Sequence, residues 1–250
     1  MTPAVLALHG FTATPECLES LVIPLREAGF SVEAPLLAGH GTSAFDLEKT
    51  SWQDWYRGVV EAYLRLKKKT DEIYVVGLSL GGLLSLKLAT EYPVRKLALL
   101  ATPIFFKGFV MEKILPLIGG GPLRHLYRYQ PKFLGPAIRD PEGKKKFKSY
   151  FLMPVASVLE IIRLQETVRP LLASVHAPAL IIHAVHDTTA PYESLAYLKD
   201  HLGSATIRTV TLEQSNHVLT LDYEKDLVAR EVVTFFKEDT YPNKLGRSDH

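Results

Sequence analysis

A serine flanked by glycines, directly after a predicted strand, is the feature that most constrains the fold of this chain. Residues 73–76 are Ile-Tyr-Val-Val, the next five are Gly-Leu-Ser-Leu-Gly, and residues 83–91 favour a helix. This pattern predicts a strand, a sharp turn and a helix, with Ser79 at the turn. Gly77 and Gly81 fit this interpretation, because side chains there would collide with the neighbouring strand and helix. An ordinary tight turn is the alternative interpretation.

Apolar strands alternate with helices along much of the sequence. Predicted strands cover residues 4–8, 31–36, 73–76, 96–101, 179–184 and 207–212, and predicted helices cover residues 15–28, 52–68, 83–91, 191–202 and 223–238. Strands that are apolar throughout and alternate with helices indicate an α/β protein, here with a mostly parallel sheet of about six strands flanked by helices. Ligands of such sheets bind beyond the carboxyl ends of the strands, where Ser79 and residues 9–12 lie.

Residues 104–175 interrupt this alternation after the fourth strand. They contain no convincing strand pattern, and two helical stretches lie near residues 141–151 and 154–165. An extra helical layer and a small helical cap over the catalytic edge are both compatible with the pattern. We favour the cap, because the insertion leaves the strand end beside the nucleophile strand. The predicted core then comprises residues 1–103 and 176–238, and residues 239–250 form a flexible tail.

The composition argues against several classes of function. With 250 residues, 47% of them hydrophobic, the chain can form one globular domain with a subdomain. The net charge is only +2, so we expect no nucleic-acid partner, and we interpret the lysine runs at 67–69 and 144–146 as solvated helix ends. No apolar run reaches the length of a membrane span, so we expect no integral membrane contact.

The cysteine content and the N-terminal residues bear on the compartment. Cys17 is the only cysteine, so the chain cannot form an internal disulfide, which fits a reducing environment. The N-terminal residues lack a basic segment, and their apolar stretch breaks at His9, unlike a signal peptide. We therefore expect a cytoplasmic protein.

A serine nucleophile needs a general base, and the base needs an acid to orient it. In this fold class the expected order along the chain is serine, acid, histidine. His217 follows the last predicted strand, where the base is expected. Asp187, Glu213 and Asp222 compete for the role of the acid. We favour Asp187, because it comes from a separate loop and can reach the side of the imidazole opposite Ser79, whereas Asp222 is interpreted as the cap of the final helix.

Other histidines need a separate interpretation. His183 and His186 have a spacing that could suggest a metal pair, but no further ligands gather around them. We therefore predict that no metal or cofactor is needed. His9 and His40 belong to glycine-containing turns, where we expect them to shape loops through hydrogen bonds.

Two backbone amides are candidates for an oxyanion hole. The amide of Leu80 lies at the predicted N-terminus of a helix, directly after Ser79. The second donor should come from the loop after the first strand, and the amide of Phe11 is our candidate. The ring of Phe11 could fill the core at the same time, because the proposed donor is backbone.

Several motifs together resemble one known family. They are His9-Gly10-Phe11-Thr12, Gly39-His40-Gly41, Gly77-Leu78-Ser79-Leu80-Gly81-Gly82, His186-Asp187 and His217-Val218-Leu219-Thr220-Leu221-Asp222. In these the chain resembles the bacterial thermostable carboxylesterase and monoacylglycerol lipase family of α/β-hydrolases. The resemblance implies that Ser79, Asp187 and His217 form a catalytic triad, with Phe11 and Leu80 at the oxyanion positions. It also implies hydrolysis of short- to medium-chain esters or monoacylglycerols, with a cap over an acyl pocket.

We expect the apolar part of the insertion, residues 105–118, to line that pocket, with Phe105 and Phe109 among the substrate-binding residues. The expected partner is a small-molecule ester, and the chain is expected to be a monomer or homodimer. Two positions depart from the family pattern, since Ala13 and Asn216 stand where glycine is common. The fold and triad leave other functions open, namely a thioesterase, a carbon–carbon bond hydrolase or a non-catalytic ligand receptor.

Overall fold

A parallel sheet of six strands forms the centre of the computed structural model, which describes residues 2–106, 128–131 and 135–238. The strands in the described residues are β1 (Ala4–Leu8), β2 (Ser31–Glu33), β3 (Ile73–Leu78), β4 (Leu97–Leu100), β5 (Tyr129–Pro131), β6 (Leu152–Pro154), β7 (Ala179–Ala184) and β8 (Ile207–Leu212). The sheet order is β2-β1-β3-β4-β7-β8, and every neighbouring pair is parallel. The predicted α/β fold class, with about six mostly parallel strands, is therefore confirmed.

Eight α-helices lie in the described residues, and most of them cover the two faces of this sheet. They are α1 (Glu19–Glu27), α2 (Ala44–Glu48), α3 (Trp52–Lys67), α4 (Leu80–Glu91), α5 (Pro141–Lys146), α6 (Val155–Val168), α7 (Glu193–His201) and α8 (Lys225–Lys237). Their ends follow local chemistry. The Ser51 hydroxyl accepts the Asp54 amide and the Asp54 carboxylate accepts the Ser51 amide, which starts α3. No helix within the described residues combines the length and the apolar character needed to cross a membrane.

Strand β1 shows why the central strands are apolar throughout. Leu6 and Leu8 pack in one core cluster with helices α3, α4 and α6, whereas Val5 and Ala7 pack in the other with α1 and α8. Because side chains alternate along a strand, a sheet covered on both faces needs apolar residues at every position. This arrangement fixes the carboxyl ends of the strands at one edge, where the site is built.

The inserted segment differs in part from the prediction. Strands β5 and β6 pair antiparallel within it, with Tyr129 opposite Pro154, so the expectation of no strand between residues 104 and 175 is wrong. Helix α5 begins at Pro141, near the predicted start, but it ends at Lys146. Helix α6 packs in the same cluster as α3 and α4. Residues 107–127, 132–134 and 239–250, which include Phe109 and the predicted tail, lie outside the described residues.

Asp222 does not cap the final helix. Helix α8 begins at Lys225 after Glu224, and no side chain caps it. Asp222 is fully buried, and its carboxylate instead accepts backbone N–H groups from three separate places in the chain. The prediction for Asp222 is therefore wrong, because tertiary contacts place its side chain away from the helix end.

Candidate active site

In the turn between β3 and α4, the backbone packs as closely against its neighbours as the glycines predict. A Cβ at Gly77 would lie 2.2 Å from the Gly81 carbonyl oxygen, and a Cβ at Gly81 would lie 2.2 Å from the Leu8 carbonyl oxygen. Ser79 between them has φ 55° and ψ −116°, a conformation that non-glycine residues rarely adopt. The strained turn raises the Ser79 side chain from the end of the strand toward the site.

Ser79, His217 and Asp187 lie in one hydrogen-bonded line. The Ser79 Oγ is 2.8 Å from His217 Nε2, and His217 Nδ1 is 2.8 Å from Asp187 Oδ2. Ser79 follows β3, Asp187 follows β7 and His217 follows β8. The parallel sheet brings these strand ends to a common edge. Glu213, the nearest competing acid along the chain, is exposed. The structure therefore joins the serine and histidine to Asp187 among the three candidate acids.

The Asp187 carboxylate is held from both sides. Its Oδ1 accepts the backbone amides of Thr189 and Ala190, each at 2.8 Å, while Oδ2 faces the imidazole. Burial raises the pKa of this carboxyl, but the charge and hydrogen bond of His217 outweigh that effect and leave the pKa below its usual value. An ionised Asp187 places the imidazole proton on Nδ1, so that Nε2 can accept the proton of Ser79.

The two candidate oxyanion donors lie beside the nucleophile. The backbone amides of Phe11 and Leu80 belong to residues that border the same cavity as Ser79, and neither amide donates to another group of the described chain. The loop of Phe11 comes close to the serine, since a Cβ at Gly10 would lie 3.4 Å from the Ser79 Cβ. Both amides are therefore available to an oxyanion at this position.

His9 orients the peptide group that carries the Phe11 amide. Its Nδ1 donates to the Gly10 carbonyl oxygen at 2.9 Å, and its Nε2 accepts the Leu37 amide at 3.1 Å. Burial lowers the pKa of His9 to about 4, so the ring is neutral at pH 7, as this pair of bonds requires. In a trans peptide the C=O and N–H point in opposite directions. Anchoring the Gly10 carbonyl therefore fixes the direction of the Phe11 N–H.

The Phe11 ring has a separate packing role. Its centroid lies 6.0 Å from that of His40 and 6.1 Å from that of Trp55. The rings of His9 and His40 are also in contact, with centroids 5.2 Å apart. These aromatic contacts show the packing role considered from the sequence for the ring, and the oxyanion role of the Phe11 amide stays a prediction.

A cavity of about 830 Å³ opens above the serine. One wall is apolar and is formed by Pro103, Phe106, Met153, Val158 and Ile161. Phe105 does not border the cavity, because its ring packs on Tyr197 at 4.9 Å and beneath Arg169 at 5.7 Å. The prediction for Phe105 is therefore wrong, and the next residue, Phe106, takes the expected place.

The inserted segment contacts the loops around the site. The hydroxyls of Thr12 and Ser149 are 3.0 Å apart, and the Tyr150 hydroxyl donates to the Gly39 carbonyl oxygen at 3.0 Å. The Val218 amide also donates to the carbonyl oxygen of residue 137 at 3.1 Å. Residues 135–154 thus touch the loops that follow β1, β2 and β8.

The two histidines considered as a metal pair lie in different environments. His183 is buried, with Nε2 at 3.5 Å from Asp187 Oδ2, whereas His186 is exposed. The described part of the chain contains no group of three or more histidine, cysteine, aspartate or glutamate side chains arranged to hold a metal ion. His183 instead contributes to lowering the pKa of Asp187.

Comparisons with known proteins agree with this architecture. Residues 1–224 match the family described as Hydrolase_4, serine aminopeptidase S33. The chain is 33% identical to a thermostable monoacylglycerol lipase of Bacillus sp. (strain H-257), over 93% of this chain and 89% of that protein. It is 31% identical to a carboxylesterase of Bacillus subtilis (strain 168), over 94% and 92%. A solved structure of the metagenome-derived lipolytic enzymes LipS and LipT is 27% identical, with a TM-score of 0.87, over 95% and 94%.

Proposed function

Because the chain belongs to the Hydrolase_4 family of serine aminopeptidase S33 type, we propose that it is a serine hydrolase that cleaves carboxylic esters. The proposed substrates are short- to medium-chain acyl esters or monoacylglycerols. The single observation that carries the proposal is the line from Ser79 through His217 to Asp187, with two distances of 2.8 Å. Such a line is what an activated serine nucleophile requires.

In the proposed mechanism His217 takes the proton of Ser79 as the serine oxygen attacks the ester carbonyl. The tetrahedral intermediate then collapses, and His217 gives the proton to the departing alcohol. Water attacks the resulting acyl-enzyme in the same way, with His217 again acting as base and then as acid. The products are a carboxylic acid, an alcohol and the free enzyme.

Asp187 and the two amides stabilise the charges that arise in these steps. The ionised Asp187 holds the Nδ1 proton of His217 and stabilises the imidazolium that forms when Ser79 is deprotonated. The amides of Phe11 and Leu80 donate to the oxyanion of the tetrahedral intermediate. Each such donor lowers the barrier by about 2.7–4 kcal/mol.

The apolar wall of the cavity is the proposed acyl site. Phe106, Val158 and Ile161 offer an apolar surface to a hydrocarbon chain in the cavity that Ser79 also borders. We propose that residues 104–175 act as the cap over a core of residues 1–103 and 176–238. Helix α6, in the C-terminal part of this segment, packs against α3 and α4 of the core. The part of the cap within residues 107–127, including Phe109, is proposed from sequence alone.

The remaining features of the proposal concern partners and location. The mechanism uses side chains and backbone amides, and neither a metal nor a cofactor enters it. The proposed partner is a small-molecule ester, and the proposed assembly is a monomer or homodimer. A cytoplasmic location is proposed, and the buried free thiol of Cys17 fits a reducing environment.

Ester turnover by the purified protein tests the proposal. We expect hydrolysis of p-nitrophenyl butyrate, loss of that activity in Ser79→Ala, and a single fluorophosphonate adduct on Ser79. The alanine variant should fold normally, because a small hydroxyl contributes little to stability. A panel of oxygen esters, thioesters and monoacylglycerols then compares the substrate classes. Absence of turnover on the whole panel, or substantial activity of Ser79→Ala, would overturn the proposal.

A further inference from the structure

The side-chain oxygen of Asn216 joins the loop of Asp187 to the loop of His217. This Oδ1 accepts the Thr188 amide at 2.9 Å, the Thr188 hydroxyl at 3.1 Å and the His217 amide at 2.8 Å. Three donors around one atom identify that atom as the amide oxygen rather than the nitrogen. The orientation of the Asn216 carboxamide is therefore fixed by its surroundings.

The amide nitrogen of the same side chain has a different environment. Asn216 is half-buried and borders the cavity, together with Thr188 and His217. Within the described residues, Nδ2 of Asn216 donates to no other group, and it is not among the enclosed polar atoms without a partner. The fixed carboxamide thus holds two N–H donors in a set direction on a residue that borders the cavity.

The position of Asn216 relates these donors to one part of the substrate. The proposed mechanism delivers a proton from His217 to the departing alcohol, so the alcohol part lies beside His217. Asn216 directly precedes His217 in the chain, so it lies near the alcohol part. The apolar residues Phe106, Val158 and Ile161 also border the cavity and are available to the acyl chain. The polar donors and the apolar wall therefore suit the two ends of an ester whose halves differ in polarity.

We propose that Asn216 is a specificity-determining residue that donates from Nδ2 to a second oxygen on the alcohol part of the substrate. This inference rests on the proposed ester hydrolysis. The substrate class it names is esters of alcohols that carry a further hydroxyl or ether oxygen, attached to an apolar acyl group. The donor is held in place before binding, so little side-chain entropy is lost when the substrate binds.

A matched pair of substrates tests the proposal. 2-Methoxyethyl butyrate and butyl butyrate have the same acyl group and the same number of atoms along the alcohol, but only the first has an ether oxygen that can accept a hydrogen bond. In Asn216→Asp the side chain keeps its acceptors for Thr188 and His217 and loses the donor. We expect the ratio of kcat/KM for the methoxyethyl ester to that for the butyl ester to fall about five- to tenfold, as loss of one such hydrogen bond predicts. The change should be mainly in KM, because the bond is present before and during the reaction.

Two further variants make the test specific. Gln214→Glu is the matched control, since it makes the same amide-to-acid change on an exposed side chain of the same loop that does not border the cavity. It should keep the wild-type ratio. Asn216→Ala removes the donor without adding a charge and should lower the ratio in the same way.

An unchanged ratio in both Asn216 variants would overturn the proposal. So would an equal loss of kcat on both esters, which would mean that Asn216 only supports the loop of His217. If the wild-type protein hydrolyses neither ester nor p-nitrophenyl butyrate, the proposed function itself fails, which is a distinct result.

Discussion

The carboxylate of Asp222 accepts a hydrogen bond of 2.8 Å from the backbone amide of Asn216, the residue directly before His217. The same carboxylate accepts the amides of Arg139 at 2.9 Å and Asp140 at 2.8 Å. Both belong to the inserted segment, close to the cavity wall. Asp222 therefore connects the loop that carries His217 to the proposed cap.

This connection predicts a loss of stability in Asp222→Asn. Replacing one carboxylate oxygen by NH₂ turns an acceptor of two buried or partly buried backbone N–H groups into a donor. Each unsatisfied donor costs about 1–3 kcal/mol, so the loss of two acceptor bonds should lower the free energy of unfolding by about 2–6 kcal/mol in urea denaturation. Asp200→Asn, an exposed change on α7, should leave stability within about 0.5 kcal/mol. Equal stability of the two variants would contradict the role of Asp222.

Asp187→Asn should lower kcat for p-nitrophenyl butyrate by up to about 10⁴, because an amide favours the wrong imidazole tautomer while preserving the shape of the site. Asp222→Asn is the comparison, measured at a temperature where it is folded. It should keep activity within about tenfold, since its carboxylate contacts backbone amides and not the imidazole. Reversed results, with Asp222→Asn inactive and Asp187→Asn near wild type, would exclude Asp187 as the orienting acid.

Phe106→Ala should shift the acyl preference toward longer chains. The ring of Phe106 borders the cavity, and its removal gives room for additional methylenes. Each buried methylene contributes about 0.8 kcal/mol, or about fourfold in kcat/KM, until the site is full. Phe105→Ala is the matched control, because that ring packs on Tyr197 outside the cavity. The measurement is kcat/KM for p-nitrophenyl esters from acetate to decanoate. A wild-type profile in Phe106→Ala would show that this ring does not limit the acyl site.

His9 predicts a specific pH dependence of stability. Above pH 6.5 its ring is neutral in both the folded and the unfolded chain, so the full stability is present. As the pH falls below 6.5 the unfolded chain takes up a proton that the folded chain does not bind until about pH 4, and the free energy of unfolding decreases. At 1.36 kcal/mol per pKa unit, the wild type should lose about 3 kcal/mol more than His9→Gln between pH 7 and pH 4.

Urea denaturation across this pH range measures the difference. His186→Gln replaces an exposed histidine and should follow the wild-type pH dependence. If His9→Gln also followed it, the protonation of His9 would not limit stability in acid.

Much of the fold follows from local properties of the sequence. The predicted bounds of β1 and β7 coincide with the observed Ala4–Leu8 and Ala179–Ala184, because continuous apolar runs of this length suit strands that are buried on both faces. The predicted bounds of β8 also coincide with the observed Ile207–Leu212, although this edge strand is partly exposed. The strand, turn and helix around Ser79 follow from the steric need for Gly77 and Gly81. The order of the parallel strands then brings Ser79 and His217 to one edge.

Other features were decided only when distant segments came together. Strands β5 and β6 have three residues each, and their pairing across about twenty residues carries no local signal. Whether Phe105 or Phe106 faces the cavity depends on the direction that the backbone takes after β4. Apolar composition cannot specify that direction. Asp222 has the sequence position of a helix cap, but its hydrogen bonds go to Arg139, Asp140 and Asn216. Periodicity and turn chemistry act over a few residues, whereas a buried carboxylate bonds to whichever N–H groups the tertiary fold brings to it.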